Sequence, residues 1–295
     1  MQMKTLMFRR GCARSDRKRD EGLETPENIQ RYDNILYGPD RAHHVLDVYR
    51  PKDVTGKMPV IVSVHGGGWV YGDKELYQWY CMNLAQRGFA VVNFTYRLAP
   101  KYKYPAGIED TNAVFEWLIN NAAEYDLDTD NIFAVGDSAG AHMLSVYCDI
   151  LTNADYAATY NLRIPQNLRL NAVALNCGCY DAVLKVMDKT QNTGALMKDV
   201  LPHRGTREEL DWISPINYVT ENFPPTYLMT CNDDFLKDQA PLMLEKLHAA
   251  HVPCENAFFG SEDEPLGHVF HLNIRSEAAQ RCNEEECAFF RKYIR

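Results

Sequence analysis

A serine between small residues stands near the middle of the chain, in the segment GDSAG at residues 136–140. The segment follows a strand-like run at 131–135 and opens an apolar, helix-like stretch at 139–151. In that setting the pattern G-x-S-x-G predicts a sharp turn that exposes the serine hydroxyl as a nucleophile. The turn also leaves the Ala139 amide at a helix N-terminus, where negative charge is favoured. The alternative interpretation is that Ser138 only caps the helix.

A second pattern, HGGGW at residues 65–69, directly follows the strand-like run 59–64. Glycine has no side chain to pack and loses much conformational entropy on folding, so three in a row indicate a close approach of the backbone to another group. In an acyl-transfer site that group is the oxyanion of the tetrahedral intermediate, with the amides of Gly67, Gly68 and Ala139 as donors. A plain glycine turn is the alternative.

Together with YRLAP at 96–100, these segments resemble the hormone-sensitive lipase-like family of α/β-hydrolases, which includes many bacterial carboxylesterases. The stretch 105–110 also resembles the P-x-x-x-E-D pattern that usually follows YRLAP, and the resemblance covers about residues 42–275. It implies a serine carboxylesterase that forms an acyl-enzyme and uses no metal or organic cofactor. The implied partners are a small ester substrate and water.

The resemblance further implies the order nucleophile, acid, histidine along the chain. Asp234 is the expected acid, because DFLKD at 234–238 matches the family pattern D-x-L-x-D. His268 is the expected base, because GHVF at 267–270 resembles G-H-x-F. Ser138, His268 and Asp234 would then act as a catalytic triad in which the carboxylate orients the imidazole.

Four neighbouring residues have other expected roles. Asp233 is the alternative acid, and Asp238 is expected to cap the following helix. His271 is expected to begin a helix face. His65 is fixed at a strand end, so it is expected to orient the glycine loop instead of acting as a base.

The substrate pocket is less constrained than the catalytic residues. Relatives in the resembled family usually prefer short acyl chains and shape the pocket partly with a cap. Residues 1–40 and 180–222 interrupt the rhythm of strands and helices, so we expect them to form that cap on the core. The candidate substrate-binding residues are aromatic and are Trp69, Tyr71, Trp212 and Phe235. Each could equally be an ordinary packing residue.

Strand-like and helix-like stretches alternate along most of the chain. Predicted strands cover 44–49, 59–64, 89–95, 131–135, 171–176, 226–231 and 255–259, and predicted helices cover 75–87, 108–123, 139–151, 238–250 and 276–294. Most strand runs are continuously apolar, which is typical of a parallel sheet covered on both faces. The alternation predicts a three-layer α/β fold. The resemblance specifies an α/β-hydrolase fold with a mostly parallel sheet flanked by helices and a small cap, in one domain over residues 1–295.

The charge balance excludes some classes of partner. Lys and Arg total 31 against 40 Asp and Glu, so the formal net charge is −9. A chain this acidic is a poor non-specific binder of nucleic acid or of an anionic membrane. Basic residues between Lys4 and Arg19 are the local exception, and they are expected to lie on a solvated or amphipathic arm. No apolar run reaches the roughly 18 residues of a membrane span.

The cysteines and the N-terminus bear on the compartment. The nine cysteines are an odd number, and no apolar core of a signal peptide precedes them. We therefore expect reduced, mostly buried thiols and a cytoplasmic protein. No spacing of ligands predicts a metal site, and the sequence leaves the oligomeric state open.

Two other functions fit parts of the same pattern. An amidase such as an arylformamidase would use the same triad, because the acyl-enzyme chemistry is shared. A non-catalytic small-molecule receptor on this fold is the other alternative. Plant gibberellin receptors resemble the family but lack the catalytic histidine, whereas His268 is present here.

Overall fold

The computed structural model of the protein describes residues 1–187 and 193–295. Within these ranges, eight strands form one sheet in the order β1-β2-β4-β3-β5-β6-β7-β8. The strands are β1 (Ile29–Leu36), β2 (Val45–Pro51), β3 (Met58–Val64), β4 (Ala90–Phe94), β5 (Leu127–Asp137), β6 (Ala172–Asn176), β7 (Thr226–Cys231) and β8 (Cys254–Phe259). Strand β2 is antiparallel to both of its neighbours, and all later pairings are parallel.

Helices cover both faces of the sheet. They are α1 (Met3–Asp20), α2 (Lys74–Ala85), α3 (Ala106–Asn121), α4 (Ala139–Thr152), α5 (Ala154–Ala157), α6 (Ala182–Met187), α7 (Thr193–Val200), α8 (Arg207–Trp212), α9 (Gln239–Ala249) and α10 (Glu277–Arg291). Short 3-10 helices cover Pro215–Asn217 and Phe270–Leu272. Among the described residues, no helix combines the length and the apolar character needed to cross a bilayer.

The two faces of the sheet belong to separate apolar cores. In β3, Val60 and Val62 pack with residues of α3, α4 and α9, whereas Ile61 between them packs with residues of α2 and α10. Alternate side chains of a strand point to opposite faces, so a strand buried on both sides is apolar along most of its length. The predicted three-layer α/β-hydrolase fold is therefore confirmed.

The structure adds a strand that the sequence analysis placed in the cap. Residues 29–36 form the edge strand β1, so the expectation that all of 1–40 belongs to a cap is wrong for this segment. The segment is polar because only one residue in it, Ile29, is buried. Its alternation is also interrupted by an irregularity between Tyr32 and Ile35 in the pairing with β2.

The N-terminal residues form the long helix α1, which contacts α7 and borders the cavity described below. Thr5 is its one fully buried residue, so the helix has no continuous apolar stripe in its sequence. The other expected cap segment, 180–222, contributes α6, α7 and α8. Residues 188–192 of that segment lie outside the described ranges.

Candidate active site

The site is built at the carboxyl edge of the parallel strands. Strand β5 ends at Asp137 and α4 begins at Ala139, so Ser138 alone forms the turn between them. Its backbone has φ +52° and ψ −116°, and its amide donates to the Asn176 carbonyl oxygen at 2.9 Å. A positive φ in a non-glycine residue costs roughly 1–3 kcal/mol, and surrounding contacts must hold it.

The glycines on either side of this turn are required because a side chain at either position would clash with backbone atoms. A Cβ on Gly136 would lie 2.6 Å from the Gly140 carbonyl carbon. A Cβ on Gly140 would overlap the carbonyl oxygen of Val64 at the end of β3. Helix α4 can therefore start directly against the sheet only because both residues lack a side chain.

Three predicted site residues meet at this turn. The Ser138 Oγ lies 2.9 Å from His268 Nε2, and His268 Nδ1 lies 2.6 Å from Asp234 Oδ1. A carboxylate can only accept hydrogen bonds, so Nδ1 carries the proton of the neutral ring and Nε2 accepts from the serine hydroxyl. The contacts therefore place a basic nitrogen directly on the hydroxyl.

Asp234 is buried and fully engaged. Its Oδ1 also accepts from the Leu236 amide at 2.9 Å, and its Oδ2 accepts from the Thr230 hydroxyl at 3.0 Å. Burial alone would raise the pKa of Asp234. The hydrogen bond and the charge of His268, with the Leu236 amide, outweigh that effect and hold the pKa below its usual value. The carboxylate is thus ionised and fixed in orientation.

The neighbouring residues lie elsewhere. Asp233 is exposed, and its backbone bridges to Gly267. Asp238 occupies the cap position of α9, but its carboxylate pairs with Lys185 Nζ at 2.7 Å instead of bonding the helix amides. His271 is buried against Tyr80, with ring centroids 5.2 Å apart.

The glycine loop after β3 lies against the residue before Ser138, since a Cβ on Gly66 would lie 2.9 Å from the Asp137 carbonyl oxygen. Gly67 has φ +110°, and a Cβ there would overlap the Tyr71 carbonyl oxygen. His65 is buried and stacks on Tyr96 at a centroid distance of 3.9 Å, and its Nδ1 donates to the Gly66 carbonyl oxygen at 2.7 Å. Burial lowers the pKa of His65 to about 4. A neutral ring held in this way can orient the loop.

Gly67→Ala is expected to lower kcat/KM for p-nitrophenyl acetate roughly 10²–10³-fold, the usual effect of losing an oxyanion donor. The added Cβ must push the loop away from Tyr71 and so misplace the Gly67 and Gly68 amides. Gly56→Ala is the matched control, because Gly56 has a similar φ of +83° with no atom within 4 Å of the added Cβ. Equal losses in the two variants would contradict an oxyanion role for the loop.

Two buried acidic residues, Asp137 and Glu286, stabilise the segments around the turn. The Tyr77 hydroxyl accepts from the Gly66 amide at 2.9 Å and donates to Asp137 Oδ2 at 2.8 Å, which joins the glycine loop to the residue before Ser138. Burial raises the pKa of Asp137 to about 6. The second acid, Glu286, accepts from the side-chain amide nitrogen of Asn176 at 2.7 Å.

Glu286→Gln is expected to change the pH dependence of stability. Burial raises the pKa of Glu286 from 4.5 to about 7, so the folded state holds its proton more tightly than the unfolded state. This contribution to stability is complete below pH 4.5 and is lost as pH rises through about 7. At roughly 1.4 kcal/mol per pKa unit, the wild type should lose about 3 kcal/mol relative to the variant across that window.

Urea unfolding of both proteins at pH 5 and pH 8 measures that difference. Glu285→Gln is the control, because its half-exposed neighbouring carboxylate carries no comparable burial. Parallel pH profiles for wild type and Glu286→Gln would mean that Glu286 titrates normally.

The cavity above Ser138 has a volume of about 300 Å³. Gly67, Gly68 and Ala139 line it beside the serine. Three of the four predicted aromatic residues also line it, namely Trp69, Tyr71 and Phe235.

Trp212, the fourth predicted substrate-binding residue, is not among the residues that line this cavity. Its indole stacks on Tyr160 at 5.0 Å and meets Tyr104 edge-on at 5.1 Å, and its Nε1 donates to the Thr159 hydroxyl. These contacts hold Trp212 outside the cavity. An aromatic residue in the cap segment gives no sequence signal that separates packing from lining.

Several lining residues were not predicted. The largest group comes from α1 and comprises Phe8, Cys12, Ser15, Asp16 and Arg19. They are spaced three or four residues apart, which is the spacing of residues on one face of a helix. Because their side chains differ in chemistry, no apolar or charged pattern marks that face in the sequence. Cys179, Thr193, Leu196, Leu236, Val269 and Leu272 line other parts of the cavity.

One group of side chains among the described residues has the geometry to hold a metal ion. The Sγ atoms of Cys177 and Cys231 and a carboxylate oxygen of Asp234 lie within 4.8 Å of one another, and all three residues are buried. Thiolates suit soft metals. A metal here would compete with His268 for Asp234, so the group has no part in the arrangement described above.

Residues 46–247 match the BD-FAE family model, and this range is more than half of the chain. The chain belongs to the BD-FAE family. Carboxylesterase NlhH of Mycobacterium tuberculosis is 29% identical over 239 residues, covering 79% of this chain and 72% of that protein. Versiconal hemiacetal acetate esterase of Dothistroma septosporum is 28% identical over 228 residues, and the chain spans 66% of its length.

Similarity to solved structures extends over nearly the whole chain. The crystal structure of Esterase B from Lactobacillus Rhamnosis superimposes with a TM-score of 0.90 at 26% identity, covering 98% of this chain and 94% of that one. This chain of the BD-FAE family is therefore an α/β-hydrolase and a carboxylic ester hydrolase, as the resemblance implied.

Proposed function

We propose that this BD-FAE-family chain hydrolyses short-chain, acetyl-like esters through an acyl-enzyme on Ser138. The observation that carries the proposal is the continuous line of hydrogen bonds from Ser138 through His268 to the buried Asp234. Ser138 and His268 line a cavity that Gly67, Gly68 and Ala139 also line.

In the proposed mechanism, His268 Nε2 takes the proton of Ser138 as the hydroxyl oxygen attacks the ester carbonyl. The amides of Gly67, Gly68 and Ala139 then donate to the oxyanion of the tetrahedral intermediate. His268 returns the proton to the leaving alcohol, and Asp234 stabilises the imidazolium in between. Water repeats both steps on the acyl-enzyme and releases the acid.

The preference for short acyl chains is supported by the walls beside Gly68. A Cβ on Gly68 would lie 3.1 Å from Phe8 Cε1 and 3.2 Å from Leu196 Cδ1, so these side chains close the space near the oxyanion loop. A similar protein is named as an acetate esterase, which agrees with a small acyl group. We also propose that α1 and α6–α8 form the cap of a single domain.

A series of p-nitrophenyl esters from acetate to decanoate tests the acyl preference, and kcat/KM should fall as the chain lengthens. N-Formylkynurenine in the same assay separates an esterase from an arylformamidase, and faster turnover of this amide would overturn the proposal. A fluorophosphonate probe should label the wild type, because an activated serine reacts with it and a receptor without one does not.

The thiols bear on the compartment. All nine cysteines lie within the described ranges and are free, and most are buried. Free thiols are typical of reducing compartments, so we propose a cytoplasmic location.

A further inference from the structure

The side of α1 that points away from the cavity carries positive charge and exposed methionines. Residues that recur every three or four positions share one face of a helix. Opposite the cavity-lining residues of α1 lies a face with six exposed side chains, which we call the outer face of α1: Met3, Met7, Arg10, Arg14, Arg17 and Lys18. None of these residues is acidic, and none lines the cavity.

The charges of α1 are sorted between its two sides. Both acidic residues of the helix, Asp16 and Asp20, lie away from the outer face and pair with Arg19. Arg9 also lies away from it and donates to the Ala99 carbonyl oxygen at 2.7 Å. By contrast, within residues 1–187 and 193–295 the four cationic side chains of the outer face have no hydrogen bond or ion pair. Their charge is therefore available to a partner.

Two methionines occupy the N-terminal half of the outer face. Met3 is 71% exposed and Met7 is 65% exposed. Removing apolar surface of this size from water is favourable, so a partner that covers the methionines gains affinity. The outer face thus fits a partner that is anionic and that also accepts apolar side chains.

An anionic phospholipid surface meets both requirements. Its headgroups attract Lys and Arg, and clusters of four or more such residues on a helix are typical of binding to anionic lipid. The boundary between headgroups and acyl chains accepts apolar side chains of a helix that lies in the plane of the surface. A nucleic acid backbone would also attract the cations, but its phosphates offer no apolar environment for the methionines.

The acidic charge of the rest of the chain does not prevent this contact. The formal net charge is −9. Charges farther apart than about 8 Å are largely screened at physiological ionic strength, so the side chains nearest to the surface dominate the interaction. On the outer face these side chains include four cations and no carboxylate.

We propose that the outer face of α1 docks the protein on an anionic phospholipid surface. Its four cations contact the headgroups, and its two methionines insert between them. The docking is peripheral and reversible, because it rests on one helix face and on screened charges. It is separate from the hydrolysis at Ser138, which takes place on the other side of the helix.

Flotation of the whole chain with lipid vesicles tests this proposal. One set of vesicles contains phosphatidylcholine alone, and the other contains about 30% phosphatidylserine, at a salt concentration of about 0.1 M. The protein should bind the phosphatidylserine vesicles about tenfold or more tightly than the neutral vesicles. Raising the salt concentration to about 0.5 M should release it.

A variant that combines Arg10→Gln, Arg14→Gln and Arg17→Gln removes three cations from the outer face. It should bind phosphatidylserine vesicles about 10²-fold more weakly than the wild type. A second variant, with Met3→Gln and Met7→Gln, keeps the charge and the approximate side-chain length. It should bind about tenfold more weakly, because the inserted apolar surface is lost.

The matched control removes the same charge from exposed arginines elsewhere in the chain, by combining Arg163→Gln, Arg169→Gln and Arg204→Gln. It should bind the vesicles as tightly as the wild type. All variants should hydrolyse p-nitrophenyl acetate at the wild-type rate, because none of the replaced residues lines the cavity. This activity shows that each variant is folded.

Equal binding of the wild type to both kinds of vesicle would overturn the proposal. So would an equal loss of affinity in the control variant, or unchanged binding of the methionine variant. Tighter binding of a single-stranded oligonucleotide than of the phosphatidylserine vesicles would assign the outer face to nucleic acid instead. A wild type that binds vesicles but does not hydrolyse p-nitrophenyl acetate would count against the proposed function and not against the docking.

Discussion

Replacing Ser138 with alanine is expected to lower the rate of p-nitrophenyl acetate hydrolysis roughly 10⁴–10⁶-fold, the range found for nucleophiles of serine hydrolases. The Ser138 hydroxyl is the group that His268 Nε2 contacts in the described part of the chain, so its removal takes away the nucleophile that forms the acyl-enzyme. The turn itself should persist, because its φ of +52° is held by the Asn176 carbonyl and by Gly136 and Gly140.

Steady-state kinetics of Ser138→Ala against Ser145→Ala give the comparison. Ser145 lies on the same helix and is buried, but its hydroxyl bonds the Ala141 carbonyl oxygen and does not reach the cavity. Ser145→Ala should keep its esterase activity and its labelling by a fluorophosphonate. Retained activity in Ser138→Ala, after removal of contaminating esterases, would reject the nucleophile and with it the proposed function.

Much of the fold could be predicted because it depends on local pattern. Parallel strands such as β3 and β6 are apolar except for one residue each, Ser63 and Asn176, and such a nearly continuous apolar run is visible without a structure. Strand β1 was missed because an edge strand with one buried residue has no such run. The pairing of β1 with β2 is a tertiary contact, and the sequence of β1 by itself does not indicate it.

The same distinction between local pattern and tertiary contact holds for the residues of the site. The segments around Ser138, Asp234 and His268 are constrained by backbone geometry at the carboxyl ends of strands, so short patterns mark them. The lining from α1 has no such constraint. Asp16 and Arg19 reach the cavity because the whole helix lies across it, and helix placement depends on remote contacts such as Arg9 with the Ala99 carbonyl oxygen.

Trp212 is a predicted pocket residue that the structure places away from the cavity lining. Its size and its place in a cap segment predict a pocket wall, but its indole packs against the rings of Tyr104 and Tyr160 instead. Aromatic side chains bury 150–250 Å² each, so they go where packing is best. Sequence composition does not distinguish these outcomes, whereas the contacts do.

Asp234→Asn is expected to lower kcat for p-nitrophenyl acetate roughly 10⁴-fold, as in other triads whose acid is made an amide. The uncharged Asn side chain would not stabilise the imidazolium that forms when His268 takes the Ser138 proton, so the charge separation in the transition state loses its counter-ion. The burial of residue 234 leaves little room for the side chain to turn away.

Asp233→Asn is the matched control, because it makes the same change one residue earlier on an exposed carboxylate that does not contact His268. The pH profile adds a second readout. With its pKa held below the usual value, Asp234 stays ionised across the neutral range, so the wild-type rate should show no acid limb from this carboxylate there. If Asp233→Asn were the slower variant, the acid would be the exposed residue. The hydrogen bond between Asp234 and His268 would then serve only to hold the loop in place.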